Sequence, residues 1–207
     1  MSSYSYTNSL VFNMISNKHK MIYIHPMRCG GRSIESFFNN YRHHRQILQN
    51  VDHRPLTYWE KEYPQEYKTY FKWGTVRNPW AMKVSRYFGG INNSKKAKKY
   101  GWNKETFRQH IKKRCTDLKD NNNVYKRYFL NSKGKMGLDF VAKIENIEED
   151  FNTVCDKIGI RRQKLPHIGN TQKKRKPYWH YYDEETADLV YQNHREVIDL
   201  YGYEFGK

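Results

Sequence analysis

Two short polar stretches hold the residue types that grip anions. In the first, Arg28-Cys29-Gly30-Gly31-Arg32-Ser33, paired glycines let backbone N–H groups approach a ligand while flanking arginines add fixed charge. In the second, Arg77 precedes Asn78, which can cap a helix, and Pro79, which can start one; Ser85 follows inside that helix. Each stretch suits one phosphate-sized group, so together they suggest a ligand carrying two phosphates. Taken singly, each also fits a plain turn, since a tight strand-to-helix turn needs glycine and an arginine before Asn-Pro is commonly a surface residue. The spacing is neither a Walker loop, which needs GxxxxGK before Ser or Thr, nor the GxGxxG dinucleotide fingerprint.

The elements that must position these loops can be read from the apolar pattern. Met21 to Ile24 reads as a short buried strand, and Ile34, Phe37, Phe38 and Tyr41 share one face of a helix after the glycines. Tyr70 to Val76 is a second strand, followed by a helix with Trp80, Val84, Tyr87 and Phe88 on its apolar side. A third strand, Phe140 to Ile144, leads into Asn146-Ile147-Glu148-Glu149, which resembles a capping box, and Gly159 is placed to end the helix it opens. The last helix spans about Asp183 to Tyr201, with Glu184 and Glu185 in its first turn and Gly202 beyond its end. Strands alternating with helices predict an α/β fold, a central, mainly parallel sheet flanked by helices, with ligands at the carboxyl ends of the strands. Residues 91–137 are rich in Lys, Asn and Tyr and read as a mostly helical insertion in a single domain spanning 1–207.

With 207 residues, the chain is long enough for one substantial core. Lys and Arg number 38 against 21 for Asp and Glu, a net charge of +17 that favours an anionic partner. Three cysteines, Cys29, Cys115 and Cys155, show no CxxC spacing, so neither a disulfide framework nor a metal site is expected. The N-terminal segment lacks the apolar stretch of a signal peptide, and no run approaches a membrane span, which places the expected location in the cytoplasm. The Lys, Asn and Tyr richness hints at an AT-rich microbial or viral genome, for a virus the host cytoplasm.

These residues carry a resemblance. Residues 14–38, MISNKHKMIYIHPMRCGGRSIESFF, resemble the opening of the sulfotransferases that use 3′-phosphoadenosine 5′-phosphosulfate, above all the carbohydrate branch typified by heparan and chondroitin sulfotransferases. Residues 71–88, FKWGTVRNPWAMKVSRYF, are similar to that family's second motif; Lys143 to Asn146 and Leu165 to Phe205 resemble later segments in the same order. The resemblance implies a P-loop-like sulfotransferase fold and sulfuryl transfer from that nucleotide to a hydroxyl, with no metal. Arg28, Cys29, Gly30, Gly31, Arg32 and Ser33 would hold the 5′-phosphosulfate, with Arg28 also catalytic. Arg77 and Ser85 would hold the 3′-phosphate, and Lys173, Lys174 and Arg175 would close over the nucleotide.

The resemblance also nominates His53 as the general base, with His43 and His44 as alternatives. The expected acceptor is an anionic glycan or another carbohydrate. Arg28 stands where the family has Lys, and Met82 where it has Arg; these departures support a second reading, a relative that binds nucleotide or glycan without turnover. A basic nucleic-acid-binding protein is a third, disfavoured because no helix-turn-helix, zinc finger or RNP signature occurs. His25 is expected near the strand end, Glu35 solvated or paired with Arg32, and Glu145 either orienting a site group or capping the next helix. Tyr178, Trp179, Tyr181 and Tyr182 could stack on a base or sugar, or serve as core.

Overall fold

The computed structural model describes residues 14–38, 53–93, 103–116, 123–168 and 175–207. Met21–Ile24, buried along its whole length, forms β2, which pairs antiparallel with the edge strand β1, Ile15–Ser16. On its other side β2 runs parallel to β3, Phe71–Val76, and β3 runs parallel to β4, Phe140–Lys143. Among the described residues the sheet is therefore four-stranded, antiparallel at its β1 edge and parallel elsewhere, in the order β1-β2-β3-β4. Continuous burial of β2 and of the second half of β3 is what a sheet covered on both faces requires.

Helix α1, Gly31–Phe38, follows β2, and α2, Leu56–Glu62, and α3, Pro64–Thr69, precede β3. Helix α4, Pro79–Asn93, follows β3; α5 is Lys104–Thr116, α6 is Ile147–Lys157 and α7 is Glu184–Tyr201. Tyr23 of β2 lies in register with Trp73 of β3, their rings 4.5 Å apart, and Phe37 of α1 meets Phe151 of α6 at 4.8 Å beside them. That forms the main core. A second core joins Trp80, Val84 and Tyr87 of α4 to Phe107 and Ile111 of α5 and Val190 and Ile198 of α7. Met82, on another face of α4, belongs to the main core, so α4 is the wall between the two.

The expected α/β class and mainly parallel sheet hold. Between residues 91 and 137 the described structure is helical in α5 and in the π-helical turn Tyr125–Phe129. The capping box expected at Asn146 does not form. Its side chain makes no cap bond; Nδ2 instead donates to Asp150 Oδ1 at 3.0 Å, and Asp150 Oδ2 accepts from the backbone N–H of Lys143 at 2.6 Å. Asp183 does cap α7, reciprocally with Thr186, and Gly202 closes the helix in the left-handed conformation. Among the described residues, no helix is long and apolar enough to cross a membrane.

Candidate anion-binding site

The loops after β2 and β3 open side by side because the two strands are parallel neighbours. Asn78 starts α4 as expected, its Oδ1 accepting from Ala81 N at 3.2 Å. Its own backbone N–H donates to Glu145 Oε1 at 2.9 Å, and Glu145 Oε2 accepts from Tyr203 OH at 3.1 Å. Glu145 thus ties the second loop to the chain's C-terminal segment rather than capping the next helix. The first loop is tied to β3 by Thr75, whose Oγ1 donates to Cys29 O at 2.8 Å.

Both glycines of the first loop have backbone reasons. Gly30 adopts φ +74°, and a Cβ there would lie 2.5 Å from Ile144 Cδ1; a Cβ on Gly31 would lie 2.0 Å from His25 Nε2. The residue that the turn alone does not explain is Arg28. Its φ of 70° is left-handed, a conformation costing a non-glycine residue about 1–3 kcal/mol.

That strained backbone carries a guanidinium into a cluster of arginines. Arg28 Nη2 donates to Ser85 O at 2.5 Å, and Arg77 Nη1 donates to Arg28 O at 3.4 Å. Burial, and then the positive charges of Arg32, Arg77, Arg175 and Arg86, lower the Arg28 proton affinity from its ordinary value. Arg175 is likewise lowered, by burial first, with Arg77 adding to it and Tyr181 opposing it; its Cζ sits 4.4 Å from the centre of the Phe88 ring. Among the described residues no carboxylate pairs with Arg28, Arg32, Arg77 or Arg175. The Nε atoms of Arg28 and Arg77 are buried without a hydrogen-bond partner. Guanidinium groups stay charged under these conditions, so uncompensated cations and unused donors point to a polyanion.

The expected ligands therefore divide. Arg28, Arg32, Arg77 and Arg175 come together, and the first N–H groups of α1, at Gly31 and Arg32, have no partner within the helix. Cys29 faces inward. Its thiol is pushed up to about 12 by burial, and its N–H donates to Pro26 O at 3.2 Å. Ser33 Oγ accepts from Ile168 N at 3.3 Å and keeps its own hydrogen to give. Ser85 supplies its carbonyl to Arg28. Lys173, Lys174, His43 and His44 lie outside the described residues.

Met82 packs into the main core, and Arg86, one turn further along α4, is the α4 cation whose charge acts on Arg28. The neighbouring Lys83 does not substitute: it is fully buried and donates to Arg114 O at 3.2 Å. The sequence reading missed Arg86. Only its four-residue spacing from the Met82 position could have signalled it.

His53 stands beside the first loop. Its Nδ1 lies 2.9 Å from His25 O, and a carbonyl only accepts, so Nδ1 carries the proton and Nε2 keeps a lone pair. Burial, then the neighbouring His25 ring, lowers its proton affinity below the ordinary 6.5, with Arg127 adding to it and the hydrogen bond to the His25 carbonyl and the charge of Glu35 opposing it. The His25 ring meets that of His53 at 4.6 Å. Glu35, expected to be solvated or beside Arg32, is instead 5% exposed with Oε1 2.7 Å from His25 Nδ1, though off the hydrogen-bonding line. A buried acid finds its partner in the nearest buried base rather than in an exposed arginine.

Of the late aromatics, Tyr181 and Tyr182 pack into the second core, and Tyr178 OH accepts from Asn78 Nδ2 at 3.2 Å. Trp179 is 44% exposed. No group of three or more His, Cys, Asp or Glu suited to a metal occurs among the described residues. Compared with family models, with curated proteins and with solved structures, the chain matches none of them.

Proposed function

We propose that the chain is a sulfotransferase with the P-loop-like fold of that class, moving a sulfuryl group from 3′-phosphoadenosine 5′-phosphosulfate to a hydroxyl of a carbohydrate. The observation that carries this reading is the convergence of Arg28, Arg32, Arg77, Arg86 and Arg175 on two adjacent strand ends, with buried, unpartnered Nε atoms on Arg28 and Arg77. Two adjacent basic loops suit a ligand with two anionic groups, and the ordered motifs of the sequence resemblance are what point to this nucleotide.

The donor supplies an activated sulfuryl group whose departure leaves negative charge on its 5′-phosphate. Arg28 and the N–H groups at the start of α1 would take up that charge, a role in which preorganised donors contribute most when water is excluded. Arg77 would hold the 3′-phosphate. His53 Nε2 would accept the acceptor hydroxyl's proton as the oxygen–sulfur bond forms and the sulfur–phosphate-oxygen bond breaks. Its lowered proton affinity keeps it neutral, hence basic, at neutral pH.

One observation favours the non-catalytic alternative. Arg28 Nη2 is already engaged by Ser85 O, so the guanidinium is held on α4 rather than free to follow a moving charge. Turnover of labelled donor separates the two readings.

The first test is calorimetric titration with 3′-phosphoadenosine 5′-phosphate against adenosine 5′-monophosphate. The bisphosphate should bind about 10- to 100-fold more tightly, the worth of charge-assisted bonds to a second phosphate, and Arg77→Ala should erase the difference. Equal affinity for the two nucleotides, or no binding of either, would overturn the reading.

A further inference from the structure

Arg28 reaches its place only because of an absence on α4. Its guanidinium lies against Gly89, one helical turn beyond Ser85, whose carbonyl it bonds. A Cβ on residue 89 would lie 2.6 Å from Arg28 Nη2, 2.8 Å from Cζ and 2.9 Å from Nη1, and these are the nearest atoms it would meet. Glycine inside a helix is disfavoured against alanine, and φ at residue 89 is not in the left-handed range, so the backbone of α4 has no need of it. The need comes from the arginine.

We infer that Gly89 is the seat of Arg28 and, through it, a positioning residue for the first anion-binding loop. The inference rests on the anion reading of that loop. Arg28 meets the second loop's helix at its guanidinium, and its backbone carbonyl accepts from Arg77 Nη1. A side chain at residue 89 therefore displaces the Arg28 guanidinium, while the Arg28 carbonyl that accepts from Arg77 stays in place. Because the obstructed group is the end of a flexible side chain, the displacement leaves the fold intact.

The experiment is a cycle of Gly89→Ala, Arg28→Ala and the double variant, titrated with 3′-phosphoadenosine 5′-phosphate and with inorganic pyrophosphate. Gly89→Ala should weaken both probes about tenfold or more while melting at or above the temperature of the native protein, as a helical Gly→Ala exchange does when nothing else is lost. The double variant should bind no worse than Arg28→Ala, because alanine at 89 harms only by moving Arg28. In parallel, the Arg28 Nε–H signal, assigned by its loss in Arg28→Ala, should shift in Gly89→Ala without any ligand. Unchanged binding with an unmoved signal would overturn the inference, as would penalties that add in the double variant. If the native protein binds neither probe, the anion reading falls, and the Nε–H signal alone still decides whether Gly89 seats Arg28.

Discussion

The His53 hydrogen bond to the carbonyl of His25 decides which proton the ring can move. With Nδ1 occupied, only Nε2 can accept, and burial keeps it unprotonated below the usual imidazole range. If His53 is the base, His53→Ala should lower kcat by about 10²- to 10⁴-fold with the donor's affinity unchanged. The sign of the pH effect follows: activity should be flat above 6.5 and fall only as pH drops through the lowered value, where the ring gains a proton and stops accepting one. A rate profile with its acid limb above 6.5, or a His53→Ala enzyme of native rate, would remove His53 from the mechanism. Cys29 shows the opposite use of burial. A thiol pushed up to about 12 is no nucleophile at neutral pH, so its place between two arginines is structural.

Among the elements, α7 contains a second pH-sensitive group, remote from the loops in function. His194 is fully buried, both ring nitrogens lack a partner, and its backbone, φ −121° and ψ 18°, breaks the helix there. Burial first and the buried Lys83 of α4 second push its pKa down to about 3, with Glu196 opposing. The unfolded chain takes up this proton near 6.5 and the folded one only near 3. Stability from the neutral ring is thus complete above 6.5 and drains as pH falls toward 3, by up to about 1.4 kcal/mol per pH unit. Leucine at 194 has no proton to gain and leaves no polar atom unpaired. The urea midpoint of His194→Leu should rise relative to the native protein between pH 7 and pH 5; a constant gap would show that His194 is not the group being protonated. Much of this element scale was legible in the sequence, since β2, β3, β4, α4, α6 and α7 follow from apolar spacing and from Pro79, Asp183 and Gly202. What stayed hidden depends on contacts between distant residues. Glu35 meets His25, and Gly89 meets Arg28 across 61 positions of chain, so neither residue has a local pattern to betray its role. Asn146 misled because a nearby acid, Asp150, competes for the same side chain.

At the scale of the whole molecule, the net charge of +17 is unevenly compensated. Glu185 takes Arg108 and Lys112, Glu196 takes Lys126, Asp139 takes Lys72 and Asp156 takes Arg162, none of them an arginine of the cluster. A diffuse positive field and a local arginine cluster are therefore two different things, and they respond differently to salt. Over distances beyond about 8 Å the diffuse field is largely screened at physiological ionic strength, whereas buried donors in contact with a phosphate are screened far less. A duplex tracked by such a field over roughly six to ten phosphates loses about 10³- to 10⁵-fold in affinity between about 50 and 200 mM salt. The adenosine bisphosphate should lose much less over the same range. Arg77→Ala should bring the bisphosphate down to the affinity of adenosine 5′-monophosphate, Arg28→Ala should weaken both nucleotides, and each should leave the duplex nearly untouched, because each removes one charge from the excess but a key donor from the cluster. If instead the duplex binds more tightly than the bisphosphate at physiological salt, and loses that binding when either arginine is replaced, then the loops grip a polymer backbone. The cluster would then be a nucleic-acid site built on strand ends.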